Sequence, residues 1–162
     1  MLTLYGHAFS FYTWKALIAF YANGTPFEFR QLGAGNEADD AFVASAGPSG
    51  QFPVLRDGDA TVFEATSIIE HLHTHHPGSA MLMPADRAEA VRLRMWDRVF
   101  DLHVMNVMQQ AVAMKLRDPD SDHQSARDAV RAPLLGSYRW IEGWLASYAP
   151  ASPVTARSCP VR

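Results

Sequence analysis

Cysteine is almost missing from this chain: Cys159 is the one thiol in 162 residues. A lone cysteine closes no internal disulfide and builds no cysteine-rich metal centre, so a stapled secreted scaffold is excluded, and a lone-thiol reading is preferred to catalysis. Long apolar runs are missing as well. Nothing approaches the ~20 residues that span a bilayer, and Met1-Leu2-Thr3-Leu4-Tyr5 has no basic region leading into an apolar stretch. No membrane association and a cytoplasmic location are therefore expected. Charge of one sign is also scarce, since 14 Lys and Arg against 17 Asp and Glu leave a net charge of -3. Such a balance creates no field that gathers nucleic acid, and small molecules become the expected partners. What is present is a chain 48% hydrophobic and 19% charged, enough to bury a core as one domain or two small ones.

Residues 2–5 are a short apolar run rich in β-formers and closed by Gly6, which predicts a buried strand. Trp14, Leu17, Ile18 and Tyr21 then recur at helical spacing, with Ser10 as N-cap and Asn23-Gly24 as the stop. After Thr25-Pro26, alternation through residues 27–32 predicts a second strand parallel to the first, completing a βαβ unit. Residues 33–50 leave room for a short helix near 38–44. Pro53-Val54-Leu55, Asp57-Gly58 and Thr61-Val62-Phe63 form an apolar run, a turn and an apolar run, the pattern of a hairpin. From Ala65 the spacing of Ile68, Ile69 and Leu72 is helical, and His76-Pro77-Gly78 ends it. The first domain thus covers 1–76.

A linker at 77–85 leads to Asp86 and Glu89, the start of a capping box. One long helix is expected from there to about Leu116, burying a stripe of Val91, Met95, Val99, Leu102 and Met105. Asp118-Pro119 stops it, and Ser121 or Asp122 caps a last helix faced by Trp140, Ile141, Trp144, Leu145 and Tyr148. Pro133 inside that pattern is expected to kink or split the helix. The all-α region therefore covers 86–148, and 149–162, with three prolines and no period, is expected to be irregular.

Three segments carry a family resemblance. Leu4-Tyr5-Gly6 through Ser10 to Lys15 is the first, Gly50-Gln51-Phe52-Pro53-Val54-Leu55 the second, and Phe63-Glu64-Ala65-Thr66-Ser67-Ile68-Ile69-Glu70-His71-Leu72 the third. In this order and spacing they resemble the glutathione transferase superfamily, in its bacterial serine- or cysteine-type branch. The resemblance implies an α/β thioredoxin-like domain with a mixed four-stranded sheet, followed by an all-α domain that here looks shortened. It also implies glutathione as co-substrate, a small electrophile as second substrate and a two-fold homodimer. Transfer of the glutathione thiolate to the electrophile is the leading reading, with a non-catalytic glutathione-binding protein of the same fold as the alternative. A thiol-disulfide oxidoreductase would need cysteine where Ser10 stands.

The resemblance assigns the site residue by residue. Ser10 sits where the family holds its catalytic hydroxyl or thiol, with Tyr12 and Tyr5 as fallback donors; an N-cap role alone is the plain alternative for Ser10. Gln51, Phe52 and Pro53 match the loop whose prolyl bond is cis and whose backbone pairs with the glutathione peptide. Glu64, Ala65 and Thr66 match the γ-glutamyl contact, with Glu64 facing the ammonium and the helix N-terminus receiving the carboxylate. Ala65 replaces the usual serine and loses a hydroxyl contact that Thr66 or Ser67 would have to supply. Met95, Trp96, Val99 and His103 are expected to wall the electrophile's pocket. His71, His73, His75 and His76 invite a metal reading, but on a helix only His71 and His75 share a face, so no metal is expected.

Overall fold

A computed structural model of the chain describes residues 1–148. Two compact units result, the first Met1–Asp97 and the second starting at Arg98. The first holds β1 (Leu2–Gly6), α1 (Phe11–Asn23), β2 (Glu28–Gln31), α2 (Glu37–Ala46), β3 (Val54–Asp57), β4 (Ala60–Phe63), α3 (Ala65–His75) and most of α4 (Arg87–Phe100). The sheet order is β2-β1-β3-β4, with β1 parallel to β2, antiparallel to β3, and β3 antiparallel to β4. This is the mixed four-stranded, thioredoxin-like sheet the sequence predicts.

Because β1 is internal, all five of its residues are buried and its side chains serve two cores. Leu2 and Leu4 join Ala16, Ala19 and Phe20 of α1, Leu55, and Ile68 and Leu72 of α3 on one face. Tyr5 turns to the other face, with Leu32, Val54 and Val43 of α2. The edge strands β2 and β4 are largely exposed. Tight approach of α1 depends on Gly6, where an added Cβ would lie 2.6 Å from the fully buried Thr13 side chain. Gly24 at φ 67 closes α1 in the left-handed conformation, its N–H bonded back to Phe20 and Tyr21 carbonyls.

The break between units falls at Asp97 rather than in the 77–85 linker. Ion pairs are the reason: Arg94 donates two hydrogen bonds to Glu70 of α3, and Asp97 pairs with Lys15 of α1. The N-terminal part of α4 thus docks through charge and the buried Ala90. The expected buried stripe does not form, since Val91 is 65% exposed, Met95 46% and Leu102 54%.

The second unit contains a π-helical turn, Asp101–Met105, then α5 (Asn106–Arg117) and α6 (Gln124–Tyr148). One unbroken α-helix was expected from 86 to 116. Instead the Asn106 N–H reaches back five residues to the Asp101 carbonyl, and the extra residue rotates the following face. Val104 and Val130 are buried in this unit, and so is His123, whose Nε2 is bonded to the Asp118 carbonyl at 2.6 Å. Pro133 does not split α6, which runs 25 residues through it. Ser137 Oγ, one turn later, donates to the His103 carbonyl at 2.8 Å and lies 3.2 Å from that of Pro133. An open groove of about 640 Å³ between α5 and α6 is lined by Gln109, Met114, Arg117 and Ala126 among others, and holds none of the expected site residues. Residues 149–162, with the expected irregular tail and Cys159, lie outside the described residues.

Candidate functional site

Strand register gathers the expected site. Gly6 pairs with Gln31, Tyr5 with Val54, and Val54 with Phe63. The ends of β1, β2 and β4 and the start of β3 therefore share one sheet edge. The segments that leave that edge carry Ser10 before α1, Phe52-Pro53 before β3 and Glu64 before α3. Two helix N-termini open there, each carrying partial positive charge.

Ser10 is the N-cap of α1, its Oγ accepting the Thr13 N–H at 3.2 Å. The preceding turn is fixed by the Ser10 N–H on the His7 carbonyl at 2.9 Å and by His7 N–H on Thr13 Oγ1 at 3.3 Å. Tyr12 is the second residue of α1 and is half-buried. Tyr5 packs its ring against Phe42, 4.8 Å between centroids, as a core residue of the second face. His7 was not singled out by sequence reasoning, yet its ring lies 6.2 Å from that of Phe52 and so joins the Ser10 turn to the Pro53 loop. A single histidine after a strand gives no periodic signal that would have found it.

The Phe52–Pro53 bond is cis. Pro53 is buried, whereas Gln51 and Phe52 are exposed. Phe52 lies just outside the ladder, which begins at Val54. Glu64 is exposed at φ 69, the sole non-glycine with positive φ among the described residues. That conformation turns the chain sharply from β4 into α3, a kind of strain found at sites more often than elsewhere.

Ala65 is buried, and Thr66 is committed. Its Oγ1 donates to Asp97 Oδ2 at 2.6 Å and accepts from Lys15 Nζ at 2.9 Å, while Lys15 also meets Asp97 Oδ1 at 2.5 Å. This three-residue cluster ties α1, α3 and α4 together behind the site. Thr66 therefore does not stand in for the serine hydroxyl missing at Ala65, and Ser67 is the exposed hydroxyl left on that turn. Met95 and Trp96 belong to the first unit, and Val99 and His103 to the second.

A second cluster lies at the far end of the hairpin. Asp57 Oδ2 is 2.9 Å from His71 Nε2 and 2.6 Å from His76 Nε2. Those hydrogen bonds, His76 first and His71 next, hold the Asp57 carboxyl below its ordinary range. Helical spacing alone paired His71 with His75, whose rings do lie 4.5 Å apart. It missed Asp57, which arrives from β3, and His76, which sits at the C-cap of α3 rather than inside it.

Residues 4–80 match the family described as glutathione S-transferase, N-terminal domain. A curated glutathione S-transferase from Silene vulgaris is 28% identical over 120 residues, covering 71% of this chain and 54% of its own length. The chain thus spans about half of that relative. Among solved structures, glutathione transferase F7 from Populus trichocarpa superposes with a TM-score of 0.74 at 24% identity, covering 91% of this chain and 72% of that one. A glutathione S-transferase from Methylobacillus flagellatus with GSH bound gives 0.73 at 23% identity, covering 90% and 71%. Residues 4–80 are thus similar to the N-terminal domain of glutathione S-transferases, and the described fold is that of the solved transferases.

Proposed function

We propose that this protein binds glutathione at the sheet edge shared by Ser10, Phe52 and Glu64, and transfers its thiolate to a small electrophile. The observation that carries this reading is the register that gathers two helix N-termini, each with an expected site residue at its N-cap position, beside the Pro53 loop. A tripeptide with a free α-amino acid at one end and a thiol in the middle suits that edge. Glu64 accepts from the γ-glutamyl ammonium, and the first N–H groups of α3, from Ala65 and Thr66 onward, receive its carboxylate. The exposed backbone of Gln51-Phe52, ahead of buried Pro53, pairs with the peptide in the manner of strand addition.

Free cysteinyl thiol has a pKa of about 8.5, so only a few per cent is ionised near neutral pH. A hydroxyl donor and the α1 N-terminus both favour the thiolate. Ser10 supplies the hydroxyl, with Tyr12 as the alternative donor. The sulfur lone pair then forms a bond to the electrophilic carbon, whose leaving group departs with its electron pair, and the thiol proton passes to solvent. Pairing of two chains as a homodimer belongs to the same reading.

A second reading, glutathione binding without turnover, is favoured by Ala65 and by the commitment of Thr66 to Asp97 and Lys15. Losing one neutral hydrogen bond weakens affinity by about 0.5–1.5 kcal/mol without abolishing it. Retention on immobilised glutathione with release by free glutathione tests the shared claim, and failure to be retained contradicts both readings. Conjugation of an activated aryl halide, measured on the eluted chain, separates them: turnover above the uncatalysed rate supports the transferase, and none supports the binder.

A further inference from the structure

The geometry points to a divalent transition-metal site formed by Asp57, His71 and His76 at the end of the first unit remote from Ser10 and Glu64. Asp57 pairs with Leu2 at the start of β1, whereas the proposed glutathione edge lies at the other end of that strand. Along α3, His71 is seven residues past Glu64, about 10 Å at 1.5 Å per residue. The two sites are therefore separate.

Three donors of the right chemistry converge. The Asp57 carboxylate oxygen and the two Nε2 atoms all lie within 4.8 Å of one another, with both imidazoles aimed at the same oxygen. Edges of a coordination polyhedron with bonds of about 2.1 Å run from about 3.0 Å in an octahedron to about 3.4 Å in a tetrahedron. The 2.9 and 2.6 Å separations thus need less than about 1 Å of expansion for either geometry, while the imidazoles swing together around the ion. Two imidazoles and one carboxylate, without thiolate, suit Zn²⁺, Ni²⁺ or Co²⁺ rather than Ca²⁺ or Cu⁺. Side-chain exposures of 14%, 31% and 25% for His71, His76 and Asp57 leave an ion partly sheltered and still reachable, with water completing its shell.

The frame is built before any ion arrives. His76 is held from both sides, its N–H on the Leu72 carbonyl at 2.9 Å and its own carbonyl accepting from the buried Asn23 amide at 2.7 Å. Leu72, fully buried, anchors the turn that carries His71. On binding, each Nε2–H···Oδ2 hydrogen bond gives way to a metal bond, and the displaced proton moves to Nδ1 or to solvent. The ion would clamp β3 to the end of α3, where two hydrogen bonds now add to the shared core of Leu55 and Leu72.

Calorimetric titration of the full chain with Zn²⁺ tests this. One ion per chain is expected, with affinity reduced about tenfold or more in His71→Ala, His76→Ala and Asp57→Asn, and unchanged in His73→Ala and His103→Ala. The native chain offers a check that needs no variant: substoichiometric Ni²⁺ should broaden the ring resonances of His71 and His76 before those of His73 and His103. Glutathione affinity of the three ligand variants should match that of the native chain. Absence of Zn²⁺ binding would overturn the site. Binding that survives His76→Ala but is lost in His75→Ala would also overturn it, in favour of the helix-face pair His71 and His75.

Discussion

Accepting the Thr13 N–H engages one lone pair of Ser10 Oγ and leaves its O–H able to donate to a thiolate, so cap and activator are compatible roles for one hydroxyl. Substitution separates them. Ser10→Ala removes both and should destabilise the chain by about 1 kcal/mol as the α1 cap is lost. Ser10→Gly keeps most of the cap preference, costing only a few tenths of a kcal/mol, yet lacks the hydroxyl. Titrating thiolate absorbance of bound glutathione against pH should show the same upward pKa movement in both variants. An unmoved titration in Ser10→Gly, with movement in Tyr12→Phe, assigns the donor to Tyr12. Glu64 permits a similar separation, because its φ of 69 strains any side chain but costs glycine little. Glu64→Gly should be more stable than Glu64→Ala by about 1 kcal/mol, read from denaturant midpoints, while both lose the carboxylate. Equal midpoints would show that this conformation stores no strain.

At the scale of elements, the first unit was legible because its signals are local and agree with one another. Ser10 and Gly24 bracket α1, Gly58 turns the hairpin, and Glu64 meets α3 where the periodicity starts. The helices after Asp86 were less legible. Val91, Met95, Val99 and Leu102 have helical spacing, but spacing says that a face is apolar and not that anything covers it. Long-range ion pairs, Arg94 with Glu70 and Lys15 with Asp97, decide instead which side of α4 turns inward, and sequence spacing does not encode partners 24 and 82 residues away. The π-helical turn has no signature in residues 101–105 either. Pro133 gave a clear signal for a kink or a split, and α6 carries it without splitting. Proline in a helix interior nonetheless removes a backbone donor and costs up to about 3 kcal/mol relative to alanine. Pro133→Ala should therefore raise the unfolding midpoint, and a lowered midpoint would show that proline at this position stabilises α6.

Across the whole molecule, large apolar side chains stand exposed along the helices of both units: Val91 at 65%, Leu116 at 75%, Trp140 at 56% and Leu145 at 54%. Faces of this kind are covered by partners in stable proteins. Sedimentation velocity should therefore show a weight-average mass that rises with concentration, and a monomer mass held to high micromolar concentration would contradict the homodimer reading. No helix among the described residues is long and apolar enough to cross a membrane, so a bilayer-spanning helix does not account for these faces. The account as a whole rests on Glu64 and the α3 N-terminus as the grip on the γ-glutamyl end. Isothermal calorimetry of glutathione binding to the native chain and to Glu64→Ala tests that most directly. One site per chain is expected, weakened by about 1.5–3 kcal/mol, roughly ten- to hundredfold, when the carboxylate is removed; unchanged affinity in Glu64→Ala would contradict it.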